Sequence, residues 1–497
     1  MLIALIDDGI DPALVGEGRI VRDLSVGEDG AITERDVSDM IITNHGTTCA
    51  RIILKYAPGA EFCSLRIFHK EILRSTLAQL ISSLEWCLDE SVPIIHMSVG
   101  SSLLNDYYRI RPIIARLLRQ RRIIVAAHSN KDRVSFPACI GGVLGVAADN
   151  RLQGCEYYAS PVHAQPLICA SSRHCLEALT ANYETTQTSN SFAAPTITAV
   201  ASNALSVAPL FSLPASQIHR RITNRTYSKH CIKPDFVEDA LIINPQGVLI
   251  LREHLFFNCV GEYSSICEIA DCELQPLDIV CIAPQGNSES EDMDRELIEN
   301  NDKYGGLLYA GIFPNIDDPA LRDRFVWDES VYSEARKPQQ QPLTQMQDSA
   351  DVPIIRVYGG GLIPLDLVCR LRDLFVIEDY QCLCMSDYPC SYLYGIEFMP
   401  AHFPEDIAVD NACSAYCPDV VILYFADTGY EHGKRPGEFA IIAGATEPAS
   451  GSGGIAEARG LFDDEAGDPP RGLRFVRGGL DNSGLSSLFE EITRYFS

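Results

Sequence analysis

Four polar residues in the first part of the chain have the types needed to hydrolyse an amide bond. Asp7 follows the apolar run 2–6, His45 lies in the sequence Asn-His-Gly-Thr, and Ser191 begins the sequence Ser-Phe-Ala-Ala-Pro. A serine hydroxyl becomes a nucleophile when a histidine takes its proton, and a buried carboxylate orients that histidine. The set indicates acyl transfer, with Ser191 as nucleophile, His45 as general base and acid, and Asp7 as orienter.

Asn130 is the fourth residue and supplies an amide donor. The tetrahedral oxyanion of acyl transfer needs donors that already point at it, and losing one costs about 3 kcal/mol. The Asn130 side chain and the backbone N–H at the start of a helix at Ser191 would form that pair. Taken singly, these residues have ordinary explanations: a solvated strand end, a partly buried histidine and a helix N-cap.

The four residues require elements that bring them to one place. Apolar runs at 2–6, 93–97 and 122–127 predict strands, and the periodicity of 73–88 and 113–118 predicts helices between them. Alternating strands and helices are typical of an α/β fold with a doubly wound, mostly parallel sheet. Ligand sites in such sheets lie at the carboxyl ends of the strands, where these residues fall.

The segments resemble the signature blocks of the subtilisin family, in the order Asp, His, Asn, Ser, over residues 1–205. The resemblance implies a serine peptidase and assigns Asp7, His45 and Ser191 to its triad and Asn130 to its oxyanion hole. It also implies that Ser98, Val99 and Gly100 pair with the substrate backbone. The sequence Phe-Pro-Ala-Cys at 136–139 is similar to a further family block.

Departures from the family pattern affect three blocks. Asp8 stands where the family commonly has Ser or Thr, so Asp8 is a rival to Asp7, and Ser189 is a rival hydroxyl to Ser191. His128 and Ser129 replace small residues before Asn130, which predicts a narrower substrate cleft. The catalytic strand begins at Met1, so we expect an enzyme that folds without a propeptide.

The remainder of the chain predicts further α/β structure. We assign residues 1–210 to the peptidase domain, 211–239 to a connector, 240–331 to an α/β region, 332–351 to a linker, and 352–497 to a second α/β domain. The middle region contains apolar runs at 240–243, 247–251 and 279–282, and strands are predicted at 352–358, 420–424 and 440–445 near the end. A closing amphipathic helix is predicted at 485–496.

Residues 352–497 resemble a degenerate P-loop fold. The strand 353–358 runs into Gly359, Gly360 and Gly361, but the lysine of the phosphate-binding motif is missing, so we expect no NTP binding. Residues 235–497 are also similar, on short apolar blocks, to accessory maturation proteins of peptide natural products. That resemblance implies that the peptidase processes a ribosomally made precursor peptide, and that the C-terminal half holds a substrate or partner.

Composition limits the partners and the location. A formal net charge of −27 argues against nucleic acid, which clustered Lys and Arg would bind, and leaves basic substrates open. No apolar stretch is long enough to span a membrane. The 18 cysteines, without a secretion signal, favour reduced thiols and the cytoplasm.

No cofactor or metal is expected. The C-terminal cysteines lack paired zinc-ligand spacing. Cys49, one helical turn after His45, is expected in the core, with thiol sensitivity near the triad as the alternative. The sequence leaves calcium binding and the oligomeric state open. Two functions follow, a serine endopeptidase and, as the alternative, an inactive peptide-binding or scaffold protein.

Overall fold

The computed structural model describes residues 1–207 and 234–496, apart from 37–43, 69–73, 131–132, 161–166, 178–182, 246, 270–276, 283–294, 301–303, 311–317, 322–324, 328–351, 400–403, 427–437, 445–453, 458–472 and 478–479. The predicted linker 332–351 and most of the predicted connector lie outside the described residues. No described helix combines the length and the apolar composition that crossing a bilayer requires.

The N-terminal region is built on a nine-stranded sheet with the order β3-β2-β4-β1-β5-β6-β7-β9-β8. Its pairings are parallel except at the two edges, where β3 and β8 run antiparallel to their neighbours. A separate antiparallel pair is formed by β10 and β11. The strands are β1 (Leu2–Asp7), β2 (Ile20–Val26), β3 (Ile32–Glu34), β4 (Glu61–Arg66), β5 (Ile94–Met97), β6 (Ile123–Ala127), β7 (Leu144–Ala148), β8 (Tyr157–Ser160), β9 (Leu167–Ala170), β10 (Cys175–Glu177) and β11 (Tyr183–Thr185).

Helices cover both faces of this sheet, as the alternating pattern predicts. They are α1 (Pro12–Val15), α2 (His45–Tyr56), α3 (Leu77–Asp89), α4 (Leu104–Arg119) and α5 (Asn190–Val207). Alternate residues of β1 enter different cores: Ile3 and Leu5 pack with α2 and α5, whereas Ala4 and Ile6 pack with α3 and α4. Central strands buried on both faces explain why β1, β5 and β6 read as largely apolar runs, although β5 includes His96.

Two helices differ from their predicted bounds. Helix α3 begins at Leu77, where Thr76 and Gln79 form a reciprocal capping box. Helix α4 spans Leu104–Arg119 and is much longer than the predicted 113–118. Pro112 lies inside the helix and does not end it, although a proline in the sequence usually marks a helix boundary. Its buried apolar face continues on both sides of that proline.

The middle region contains a five-stranded parallel sheet with the order β13-β12-β14-β15-β16. The strands are β12 (Asp239–Ile243), β13 (Asn258–Tyr263), β14 (Leu277–Ile282), β15 (Tyr304–Ala310) and β16 (Phe325–Trp327). Of the three apolar runs in this region, those at 240–243 and 279–282 lie in strands. Residues 247–251 are irregular, and Leu249 in them is exposed.

The C-terminal region forms a seven-stranded sheet with the order β19-β18-β20-β17-β21-β23-β22, antiparallel only at β22. The strands are β17 (Ile354–Tyr358), β18 (Cys382–Ser386), β19 (Glu397–Phe398), β20 (Val420–Phe425), β21 (Phe439–Gly444), β22 (Gly454–Glu457) and β23 (Leu473–Arg477). The helices are α6 (Leu362–Ile377), α7 (Glu405–Tyr416) and α8 (Asn482–Phe496). The predicted strand and glycine turn at 353–361, and the helix after them, are therefore present, while the resemblance to a P-loop fold stays a prediction.

The C-terminal sheet packs directly on the peptidase region. One hydrophobic core contains Ile110 and Ile114 of α4 together with Val409 of α7 and Leu423 of β20. Polar contacts cross the same boundary, because Gln381 Oε1 accepts a hydrogen bond from the Asn105 N–H at 3.0 Å. The Arg372 guanidinium also lies 5.6 Å from the Tyr108 ring centroid. The two regions thus bury a common interior.

Candidate active site

Asp7 and His45 meet at the carboxyl end of β1. Asp7 is the last residue of the strand and is fully buried, and His45 is the first residue of α2. The His45 Nδ1 atom lies 2.9 Å from each Asp7 carboxylate oxygen. Burial by itself lowers the pKa of His45, but the Asp7 and Asp8 carboxylates outweigh it, so the pKa is raised above its usual value. This pairing fixes the Nδ1–H tautomer and orients the imidazole.

Asp8 points away from the imidazole and holds the start of α2. Its carboxylate oxygens accept hydrogen bonds from the backbone N–H groups of His45, at 3.1 Å, and Gly46, at 2.7 Å. A carboxylate at a helix N-terminus satisfies unpaired N–H groups and complements the helix dipole. Gly46 permits this approach, because a Cβ there would lie 2.6 Å from the Gly9 carbonyl oxygen. Of the two carboxylates, Asp7 is therefore the one bonded to the histidine.

Ser191 is the second residue of α5, and the first turn of this helix contacts His45 through Phe192. The neighbouring Phe192 ring stacks on the imidazole with 5.2 Å between the ring centroids. No hydrogen bond joins the Ser191 hydroxyl to His45 in the described part of the chain, and such bonds commonly tighten only when substrate binds. The rival Ser189 caps the helix instead, since its hydroxyl accepts a hydrogen bond from the Phe192 N–H at 3.3 Å.

Asn130 is exposed and is tied to the start of the same helix. Its Oδ1 atom accepts a hydrogen bond from the Asn190 N–H at 3.0 Å. A backbone N–H can bond only to the oxygen of the amide, so the Asn130 NH₂ group remains as the donor. This arrangement suits an oxyanion donor close to Ser191.

Asn190 was missed by the sequence reasoning, although it directly precedes Ser191. Its side-chain NH₂ group donates to the carbonyls of His128, at 3.1 Å, and Ser129, at 2.9 Å, and its Oδ1 atom accepts from the Ala148 N–H at 2.8 Å. One side chain thus joins β7, the segment before Asn130 and the start of α5. The available signal in the sequence was an asparagine directly before the proposed nucleophile.

His96, in the middle of β5, was also missed. It is fully buried, and burial lowers its pKa to about 3, so the ring is neutral at physiological pH. Its Nδ1 atom lies 2.8 Å from the Thr198 hydroxyl and its Nε2 atom 3.2 Å from the Ser98 hydroxyl, which donates to the Ser191 carbonyl at 3.2 Å. The neutral ring therefore connects β5 to the start of α5. A histidine within a buried strand was the available signal.

The segment 98–100, which is predicted to pair with the substrate backbone, directs its side chains to the protein interior. The Ser98 hydroxyl is turned toward Ser191, and Val99 packs on the core beneath the sheet. A Cβ at Gly100 would lie 2.7 Å from the Phe136 carbonyl oxygen, so this position needs glycine. Recognition by this segment would thus fall to its backbone, and substrate binding here stays a prediction.

Several cysteines and histidines lie outside the proposed triad. The Cys49 thiol is buried, 3.6 Å from both the Ser98 hydroxyl and the Ser191 carbonyl, and burial raises its pKa well above the usual value. His128 contacts the Cys139 thiol at 3.6 Å, and His174 is buried, bonded at 3.0 Å to the Phe192 carbonyl. His163 lies outside the described residues. Among the C-terminal cysteines, Cys382 and Cys384 lie in one hydrophobic core and Cys413 lies in another.

Comparison with known proteins agrees with the fold of the N-terminal region. Residues 1–239 match the Subtilase family. Subtilisin DY of Bacillus licheniformis is 22% identical over 233 residues, which cover 45% of this chain and 82% of that protein. This match and the mostly parallel sheet support the subtilisin-like α/β fold that the resemblance predicted for the N-terminal region. The match ends at residue 239 and lends no support to the P-loop resemblance of residues 352–497.

Two solved structures are similar to part of this chain at low identity. A mutant of the protease domain of PatA has a TM-score of 0.34 and 22% identity, covering 42% of this chain and 79% of that one. The epidermin leader peptide processing serine protease of Staphylococcus aureus has a TM-score of 0.36 and 14% identity, covering 46% and 69%.

Proposed function

We propose that this protein is a serine endopeptidase whose triad is Asp7, His45 and Ser191. The observation that carries the proposal is the pairing of both Asp7 oxygens with His45 Nδ1 at 2.9 Å, beside the helix whose second residue is the nucleophile. With Nδ1 held, Nε2 is the ring atom that can take the Ser191 proton. It then returns that proton to the leaving amine.

The oxyanion formed by Ser191 attack would be stabilised by Asn130 and a backbone N–H at the start of α5. The Asn130 amide is held by Asn190, so the donor is aligned before the reaction and little reorganisation is needed. Water then hydrolyses the acyl-enzyme with His45 acting again as base. The substrate would lie extended against the backbone of Ser98–Gly100 by strand pairing.

A ribosomally made precursor peptide is the proposed substrate. The proposal follows from the resemblance of residues 235–497 to accessory maturation proteins, and the acidic chain suits a basic peptide segment. We place the reaction in the cytoplasm, since those cysteines whose side chains the structure describes are free thiols. We further propose that residues 352–497 are a degenerate P-loop domain that has no phosphate chemistry of its own.

Labelling with a fluorophosphonate distinguishes an active peptidase from an inactive scaffold. The active enzyme should gain one adduct on the peptide that contains Ser191, and Ser191→Ala should gain none. Ser189→Ala is the matched control and should label as the parent does, because that hydroxyl caps α5. An unlabelled but folded parent protein would favour the scaffold alternative, and labelling of Ser191→Ala would reassign the nucleophile.

A further inference from the structure

Helix α7 of the C-terminal region ends against the segment that follows Asn130. The last four carbonyls of a helix lack partners within it. In α7, the Cys413 carbonyl accepts from the Cys417 N–H at 2.8 Å, and the Ala415 carbonyl accepts from the Val134 N–H at 3.1 Å. A donor from the peptidase region therefore completes the end of a helix that is more than 270 residues away in the sequence.

Helix α7 is itself firmly held. Its buried residues Ala408, Val409 and Ala412 belong to the core that includes α4 of the peptidase region. At its first position, Glu405 forms an ion pair with Arg356, which is only 4% exposed. A helix fixed along its length presents the Ala415 carbonyl at a defined position.

A second set of hydrogen bonds leads from Val134 to the nucleophile. The hydroxyl of Ser135, the next residue, accepts from the Ser129 N–H at 2.9 Å. The Ser129 carbonyl and the Asn130 Oδ1 atom then both bond to Asn190, the neighbour of Ser191, at 2.9 and 3.0 Å. This route does not pass through residues 131–132, which lie outside the described residues.

We infer that the C-terminal half positions the oxyanion donor, through the bond from Val134 to Ala415 and the bond from Ser129 to Ser135. The inference rests on the proposed function of Asn130. The C-terminal half thereby affects the chemical step for every substrate. A tethered recognition element would instead affect only the binding of the substrates that it recognises. A misplacement of about 1 Å at such a donor is enough to cost up to about 100-fold in rate.

The test is a double-mutant cycle on hydrolysis of a short peptide by the full-length protein. Ser135→Ala removes the acceptor of the Ser129 N–H, and Val134→Pro removes the donor to Ala415. Each should lower kcat about 10-fold with KM nearly unchanged, because a donor displaced in the transition state affects the chemical step. In the Asn130→Ala background, each should lower kcat by less than about 2-fold, because the donor that they position is gone.

A matched pair of cavities tests the role of the C-terminal half. Val409→Ala loosens α7, whereas Val368→Ala makes the same change on α6, in the other core of the C-terminal sheet. Val409→Ala should lower kcat about 3-fold through the coupling, and Val368→Ala should leave kcat of the folded protein unchanged. Circular dichroism and fluorophosphonate active-site titration correct each value for the folded fraction.

The outcomes separate the inference from the function on which it rests. Equal losses in the parent and Asn130→Ala backgrounds, in an enzyme that cleaves peptide, would overturn the positioning role alone. Equal kcat for Val409→Ala and Val368→Ala would show that the C-terminal half does not help to position the oxyanion donor. A parent protein that neither cleaves peptide nor takes the fluorophosphonate would overturn the proposed function, and the inference with it.

Discussion

The N-terminal and C-terminal sheets each follow a central strand, β1 or β17, with a glycine-containing turn and a helix, but the charged side chains of the two strands differ in their partners. In the N-terminal sheet, β1 ends in Asp7, whose carboxylate pairs with the partly exposed His45. In the C-terminal sheet, β17 runs into glycines, and its one charged side chain, Arg356, is buried between Glu405 and Glu438. A charge paired with a titratable and partly exposed partner can take part in catalysis, whereas a charge already neutralised by two carboxylates chiefly supports packing.

Asp7→Asn and Asp8→Asn should give the largest difference in kcat, although both residues lie at the carboxyl end of β1. Asp7→Asn should lower kcat by about 10,000-fold, because an amide at this position favours the wrong imidazole tautomer. Asp8→Asn retains an oxygen acceptor for the start of α2, so the loss should be far smaller. Steady-state kinetics on one peptide substrate measure both. Comparable losses would mean that Asp8 shares the orienting role.

Asn130→Ala should have the next largest effect. Removal of one oxyanion donor should lower kcat by about 100- to 1,000-fold with little change in KM, since the donor acts mainly in the transition state. Asn203→Ala, on the exposed side of α5, is the control. A variant with unchanged kcat would show that the Asn130 amide does not face the reacting carbonyl.

The pH profile should reflect the carboxylates around His45. Because the pKa of His45 is raised, the neutral base should appear, and kcat/KM should rise, at a higher pH than for an ordinary histidine. The same raised pKa contributes folding stability below the unfolded-state pKa, and this stability is lost as pH rises through the folded-state pKa. Asp8→Asn removes one cause of the shift, so its acid limb should move to lower pH. An unmoved limb would exclude that contribution.

Addition of ATP should produce the smallest effect on activity and stability, and it tests the glycine turn after β17. The turn at Gly359–Gly361 offers a helix start without a lysine, so ATP with Mg²⁺ should change neither kcat nor the thermal midpoint. Thermal unfolding at millimolar nucleotide measures this, with adenosine as the control. A thermal midpoint raised by ATP but not by adenosine would indicate a phosphate-binding site in the C-terminal region.

Much of the peptidase region was predictable because its signals are local. The strands around β1, β5 and β6 are largely apolar runs, and the residues proposed for catalysis stand directly after strands or at helix starts. Elsewhere a local signal was misleading. Pro112 hid the full length of α4, and the run at 247–251 is apolar without pairing to a strand. Burial of a whole helix face outweighs one lost hydrogen bond in the first case.

The sequence by itself determined the residue types of the site and the alternation that builds a parallel sheet. It left two carboxylates and two serines as rivals, because adjacent residues have the same local pattern. Only the tertiary structure decided that Asp7 faces His45 while Asp8 caps α2, and that Ser189 caps α5. It alone joined Ala415 to Val134 and His96 to Thr198, since contacts between residues far apart in the chain depend on how whole helices and sheets pack.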